Sequence, residues 1–336
     1  MLAFGGLTAL LLFGCAQPTD PRVPGGDAAA ATVALPVLSP CLGVAGPTVV
    51  FSGSHTNGAS VDVYAVTSVS AVVALTADGK SSAPAFHPDG TTVVFARAAT
   101  RKGSAGGPPP ATSLWTMAVD GGNQRKLVDM PAAEQPSYSP DGSQVAFSGV
   151  AHEKDRELGP RIHVVAADGT GVRRLTEGAR TDLLYVSEHE PIWSPDGKTL
   201  AFIRVGDRAG GTVSQLWSLT VESGLTDLLY ETPKGDLGVS AWASSGAALL
   251  VTTRSDSGVG RVAASFDVTT GKFFQLADSV GSVGYSTDNA LTYFAPNEEG
   301  DQLRLSDTSA VRVVPTPLTG PSAVPTSRIA VAPCKL

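Results

Sequence analysis

Residues 191–202 read PIWSPDGKTLAF. Upstream, residues 136–147 read PSYSPDGSQVAF and residues 84–95 read PAFHPDGTTVVF. The three stretches share one pattern: a short apolar run, a Pro-Asp-Gly turn, and a second apolar run ending in Phe. Fainter copies are SAWASSGAALLV at 240–251, VGYSTDNALTYF at 283–294 and GPTVVF at 46–51. The closing residues Phe51, Phe95, Phe147, Phe202, Val251 and Phe294 are spaced by 44, 52, 55, 49 and 43. Self-similarity at about 40–50 residues is the period of a propeller blade.

Each repeat continues in the same way. After a variable loop comes a third apolar run: SLWTMAV at 113–119, RIHVVAA at 161–167 and QLWSLTV at 215–221. A polar turn and a fourth short run follow. Runs of four to seven residues bounded by Gly, Pro and Asp are strand signals. Pro88, Pro140 and Pro195 preset the first corner of a type I turn, and the Gly two residues on accepts positive φ. Asp89, Asp141 and Asp196 are therefore turn-makers. Four antiparallel strands repeated radially predict an all-β fold, a six-bladed propeller. The first repeat lacks its turn and the C-terminal TSRIAVAPCKL at 326–336 reads as an extra strand. Both ends are expected to close in blade one. That closure motivates a disulfide between Cys41 and Cys334, worth about 5 kcal/mol in the loop-closure account. Two buried free thiols are the alternative.

These repeats resemble the WD-like propeller repeats of the TolB family, whose pattern is close to P-x-[FW]-S-P-D-G-x-x-[IL]-A-F. The resemblance covers residues 41–336. TolB itself carries an α/β domain before its propeller, whereas this chain has a short Pro-rich and Ala-rich stretch there, so the resemblance implies the propeller alone.

The N-terminus reads as an address. Residues 1–14 contain no charged side chain and are too short to span a bilayer core, which needs about 20 residues. They suit the apolar region of a secretory signal. The Leu12-Phe13-Gly14-Cys15 order resembles a bacterial lipoprotein cleavage box, which implies that Cys15 becomes the lipidated N-terminus. A buried Cys after an apolar leader is the other reading. Residues 15–37 then form a flexible tether and 38–336 the propeller. Ala16, rather than Asp, after the Cys implies transport to the outer membrane.

The 336 residues carry a net charge of −7, and only 16% are charged. No basic patch argues for nucleic acid. There is no G-x-S-x-G, H-E-x-x-H, Walker loop, C-x-x-C or dinucleotide fingerprint. No catalytic residue, metal or cofactor is assigned.

In an up-and-down blade the first-to-second and third-to-fourth turns share one face, and here they are short and uniform. The other face collects insertions at 101–112, 151–160, 178–190 and 205–214. Insertions gathered on one face mark a binding face. Glu188-His189-Glu190, with Glu134-Gln135 one repeat earlier, is expected to ring the channel mouth there. His163 stands where sister repeats have Trp115 and Trp217, and reads as packing. Trp193 and Trp242 likewise read as packing between blades. The function expected is non-catalytic binding of an envelope protein or peptide by a monomeric, lipid-anchored propeller. The alternatives are a lyase or hydrolase on sugars or lactones, using Glu134, Glu188, His189 and Glu190, and a structural subunit of an envelope assembly.

Overall fold

The Pro-Asp-Gly turns close in one way. In the computed structural model, Gly142 N–H donates to the Ser139 carbonyl, Gly197 to Ser194 and Gly90 to His87, each at 2.9 Å. The three glycines sit at φ 74°, 69° and 73°, where a Cβ is strained. Ser139 Oγ donates to Asp141 Oδ1 at 2.5 Å and accepts from Gln144 N–H at 3.0 Å. Ser194 repeats this with Asp196 and Thr199. Those hydroxyls, with the N–H two residues on, hold both carboxyls below the usual carboxylate range. The three aspartates are thus occupied as turn-makers.

The structure describes residues 49–331, apart from 54–59, 69–70, 100–110, 152–158, 178–182, 233–235, 255–259, 279, 281–282, 286–290, 296–301, 307–310 and 315–329. Cys15, Cys41 and Cys334, with the leader and tether, lie outside the described residues. So do most of the insertions at 101–112 and 151–160.

Every regular element described is a strand, and the strands form six four-stranded antiparallel sheets. Sheet one holds β1 (Val49–Gly53), β2 (Asp62–Ser68) and β3 (Ala71–Ala74). Sheet two holds β4 (Ser81–Phe86), β5 (Thr92–Ala98), β6 (Thr112–Ala118) and β7 (Arg125–Val128). Sheet three holds β8 (Ala132–Tyr138), β9 (Gln144–Val150), β10 (Arg161–Ala166) and β11 (Arg173–Arg174). Sheet four holds β12 (Leu184–Trp193), β13 (Thr199–Arg208), β14 (Gly211–Thr220) and β15 (Thr226–Thr232). Sheet five holds β16 (Gly238–Trp242), β17 (Ala248–Arg254), β18 (Arg261–Asp267) and β19 (Phe273–Ala277). Sheet six holds β20 (Val283–Tyr285), β21 (Leu291–Ala295), β22 (Gln302–Ser306) and β23 (Val311–Val314). The last strand, β24 (Ala330–Val331), completes sheet one by pairing with β1, Val331 opposite Val49 and Ala330 opposite Val50. The innermost strands touch in the order β4, β8, β12, β16, β20, β24 and back to β4. The chain is an all-β propeller.

The core lies between sheets. Phe147 packs with Val94, Leu114 and Val128 of the preceding sheet, while Phe202 packs with Ala146, Ile162 and Val164. Phe51, Phe95, Phe147 and Phe202 are all buried. Trp193 donates its indole N–H to the Ser137 carbonyl at 3.2 Å, and Trp242 to that of Ile192 at 3.3 Å. Each tryptophan so clips its own inner strand to the previous one.

Two expectations change. Residues 205–214 are not an inserted loop: β13 and β14 run on as a hairpin, with Arg208 paired to Gly211. The end of the 178–190 insertion is also strand, since β12 begins at Leu184.

Candidate functional site

The inner strands of sheets two to four share a bulge before a proline. Ala83, Gln135 and Glu190 precede Pro84, Pro136 and Pro191, and hold φ of 50°, 53° and 55°. The register slips there in each strand. A bulge frees one residue from the ladder and re-aims its neighbours. Here it aims two side chains at the next sheet. Gln135 Oε1 accepts from Glu190 N–H at 3.1 Å, and Glu190 Oε2 accepts from Val239 N–H at 2.8 Å. Gln135 and Glu190 are therefore interblade staples.

Glu188 is fully buried and does not reach the channel mouth. Its repeat position is filled by Ser81 and Ala133 in the two preceding sheets, so the carboxylate occupies a core slot. Arg204 Nη2 and Nε donate to Glu188 Oε1 at 2.7 and 3.0 Å, and the Thr176 hydroxyl donates to Oε2. The Arg204 guanidinium lies 4.2 Å from the centre of the Trp217 ring. An Arg two residues after the closing Phe, beneath the third-strand Trp, also occurs in sheet two. There Arg97 lies 4.6 Å from the centre of Trp115 and pairs with Asp78 at 2.6 Å.

Of the five candidates only Glu134 is exposed, and it accepts from the Thr112 hydroxyl at 3.2 Å. His189 is half-buried beside Glu190 and Glu134. Among the described residues no group of three or more His, Cys, Asp or Glu side chains is placed to hold a metal ion. The acid-base or metal grouping of Glu134, Glu188, His189 and Glu190 is not assembled: one carboxylate is in the core and another is bound to backbone.

The insertion face offers a different feature. On β12, Leu184 pairs with Asp207 and Ser187 with Val205, leaving a bulge between them. Tyr185 in that bulge has φ 51°. A Cβ at Gly206 opposite would come within 2.9 Å of Leu183 Cβ, so only glycine admits the bulge. Tyr185 is 80% and Leu184 64% exposed. Beside them the β13–β14 hairpin projects, its end braced by Arg208 donating to both Glu231 oxygens at 2.8 and 3.1 Å. Gln215 also donates to Glu231, and these bonds hold that carboxyl below its usual range. A braced wall therefore presents a tyrosine and a leucine to solvent. The insertion at 178–190 points to this segment, but nothing in it singles out Tyr185.

On the opposite face a shallow pocket of about 480 Å³ opens between the turns of sheets four and five, lined by Ser194, Asp196, Trp242 and Ser245 among others. It lies where the fifth repeat has Ser244-Ser245 in place of Pro-Asp.

Two histidines give a pH dependence. His163 stacks on Phe147 at 5.4 Å, and its Nδ1–H donates to the Arg161 carbonyl at 2.9 Å, leaving the buried Nε2 without a partner. Burial pushes the pKa of His163 down, and that of His189 too, where the acidic neighbours only partly offset it. The unfolded chain then binds protons that the folded chain refuses, so stability falls as pH drops below about 6.5. We expect the thermal midpoint to decline steadily from pH 7 to pH 5. His163→Phe with His189→Gln should flatten that decline, and an unchanged slope in the double variant would refute its source.

No family model matches the chain. Its fold resembles the crystal structure of TolB from Acinetobacter baumannii, with a TM-score of 0.60 at 16% identity, over 85% of this chain and 65% of that one. A putative TolB from Agrobacterium tumefaciens gives 0.53 at 15% identity, over 80% and 88%. The chain has a TolB-like propeller fold. In sequence it is 32% identical over 149 residues to the uncharacterized peptidase YuxL of Bacillus subtilis, covering 37% of this chain and 22% of that protein. It is 28% identical over 135 residues to the uncharacterized protein Atu1656 of Agrobacterium fabrum, covering 38% and 41%. The alignments thus span less than half the length of these curated relatives. The likeness to TolB, at this identity, concerns the fold.

Proposed function

We propose that the protein is an envelope lipoprotein, tethered through Cys15, whose six-bladed propeller binds a protein or peptide partner without catalysis. The insertion face at the fourth blade makes the contact. The observation that carries this reading is Tyr185: a bulky residue held at positive φ costs on the order of 1–3 kcal/mol, and this one makes no compensating burial. Such strain persists at binding sites. Tyrosine is also enriched among residues that dominate interface energies. The inner end of the same strand is spent on staples and a buried ion pair, which keeps the wall rigid and lowers the ordering cost of binding.

The test compares the full chain with a Leu184→Ser/Tyr185→Ser double variant, each crosslinked to native envelope extract. A band retained by the wild type should weaken by roughly 30-fold in the variant, the loss of about 2 kcal/mol expected for an interface anchor. Unchanged far-UV circular dichroism would show that the fold survives. Equal retention by both proteins overturns the site, and no specific retention overturns the binding role. In the same cells, Cys15→Ser should move the protein out of the membrane fraction.

A further inference from the structure

One aromatic position recurs at the end of the inner strands, two residues before the first corner of the turn. Phe86, Tyr138, Trp193 and Trp242 fill it in sheets two to five. The first three are buried, at 8%, 9% and 8% exposure, whereas Trp242 keeps part of its surface open. The cause is local. Between sheets two and three, His87 meets Tyr138 edge-on at 4.8 Å, and the turn after Tyr138 carries Pro140 and Asp141. Between sheets three and four, Ser139 stands in the place of His87, but Pro195 and Asp196 remain and Trp193 stays buried. Between sheets four and five both features are lost: Ser194 replaces the His, and Ser244-Ser245 replaces Pro-Asp. All three serines line the pocket of about 480 Å³. The fifth turn keeps its backbone, since Gly246 N–H donates to the Ala243 carbonyl at 2.9 Å and Gly246 holds φ 72°. The serines therefore change the surface without changing the fold.

The lining has a definite chemistry. Trp242 commits its indole N–H to the Ile192 carbonyl at 3.3 Å, so what it offers the pocket is carbon. Asp196 Oδ1 accepts from the Ser194 hydroxyl at 2.6 Å and the Lys198 N–H at 3.1 Å, while Oδ2 has no donor among the described residues. Ser245 Oγ accepts from Ala247 N–H at 3.3 Å, which leaves its proton to donate. A flat carbon surface, edged by a carboxylate acceptor and a hydroxyl donor, is the complement of a pyranose ring. Such a ring has apolar C–H faces and a rim of hydroxyls that each donate and accept. Charge narrows the class. The Ser194 hydroxyl, the Lys198 N–H and, after them, the Lys198 ammonium hold the Asp196 carboxyl low. With a cation already beside it, the carboxylate has little to give an organic cation, and it repels an anionic sugar.

We propose that this pocket binds one neutral hexopyranose unit of a glycan, with a C–H face of the sugar on Trp242 and its hydroxyls on Asp196 and Ser245. The volume lies within the range of about 300–1,000 Å³ that holds small ligands. The pocket is open and shallow, which suits a single unit of a longer chain held weakly. It lies on the face opposite Tyr185 and is independent of the binding proposed there.

Saturation-transfer NMR and tryptophan fluorescence titration of the full chain with cellobiose, N,N′-diacetylchitobiose and lactose test this. At least one of these sugars should bind saturably, with its ring C–H protons receiving the saturation. Ser244→Pro/Ser245→Asp rebuilds the turn of the neighbouring repeats and closes the pocket. It should keep the thermal midpoint and weaken binding at least about tenfold. Ser194→His copies the second repeat, closes the pocket from the other side and should weaken binding as much. The Leu184→Ser/Tyr185→Ser variant should bind the sugar as the wild type does. Saturable binding of none of the three sugars overturns the proposal. So does wild-type affinity in either closed-pocket variant, or loss of binding in the Leu184→Ser/Tyr185→Ser variant, which would place the sugar on the other face.

Discussion

Glu188→Ala should lower the stability of the protein by about 3–5 kcal/mol, the cost of leaving a buried charge without its partner. Arg204 is 1% exposed and cannot shed its proton within a protein. Without the carboxylate its guanidinium keeps only the faces of Trp217 and Phe202. Arg204→Met should cost less, because Glu188 keeps the Thr176 hydroxyl as a donor. The double variant Glu188→Leu/Arg204→Met should recover most of the loss. Buried ion pairs often break even against apolar groups of similar volume, and here Arg204 Nη1 has no hydrogen-bond partner in any case. Urea denaturation followed by tryptophan fluorescence reads all three. A Glu188→Ala protein as stable as wild type would mean that the pair is solvated and that the site has been misassigned.

Phe147→Ala should cost about 3–5 kcal/mol, as deletion of a fully buried aromatic does when the cavity cannot collapse. The ring closes the third repeat, fills the seam against Val94, Leu114 and Val128, and supports His163. Strands hydrogen-bonded on both sides cannot move in to fill the space. Phe147→Leu keeps most of the volume and should cost less than half as much. If both substitutions were harmless, the closing aromatic would not be the element that seals one sheet to the next, and the repeat pattern would lose its physical basis.

Much of this architecture is legible in the chain. The Pro-Asp-Gly turns, the alternating runs and the closing phenylalanines are local signals, and each has a local cause. The Trp pairs announce interblade packing because they recur at one repeat position. The pairing of β24 with β1 follows from a first repeat without its turn and a spare strand at the end. The Glu188-His189-Glu190 cluster misleads, because three adjacent polar residues look alike in sequence. A bulge at Glu190 sends one side chain to the next sheet, and strand alternation puts Glu188 in the core. A signal for that was present: the Phe-x-Arg of residues 95–97 and 202–204, each with a Trp in the third strand, marks a cation that needs a buried acid. Tyr185 could not be found this way. Its positive φ depends on a bulge opposite Gly206, a property of the paired strands and not of the segment alone.

The two residue pairs that join β24 to β1 carry a temporal consequence. Pairs between residues so far apart in the chain are slow to form, since loop closure must precede any reward. During synthesis sheets two to five can assemble from neighbouring segments, while β1 waits with its inner edge uncovered until Ala330 and Val331 emerge. Closure of the ring is thereby tied to the synthesis of β24. A chain without β24 would leave the inner edge of β1 open, a row of unpaired backbone groups of the kind that invites pairing with another strand.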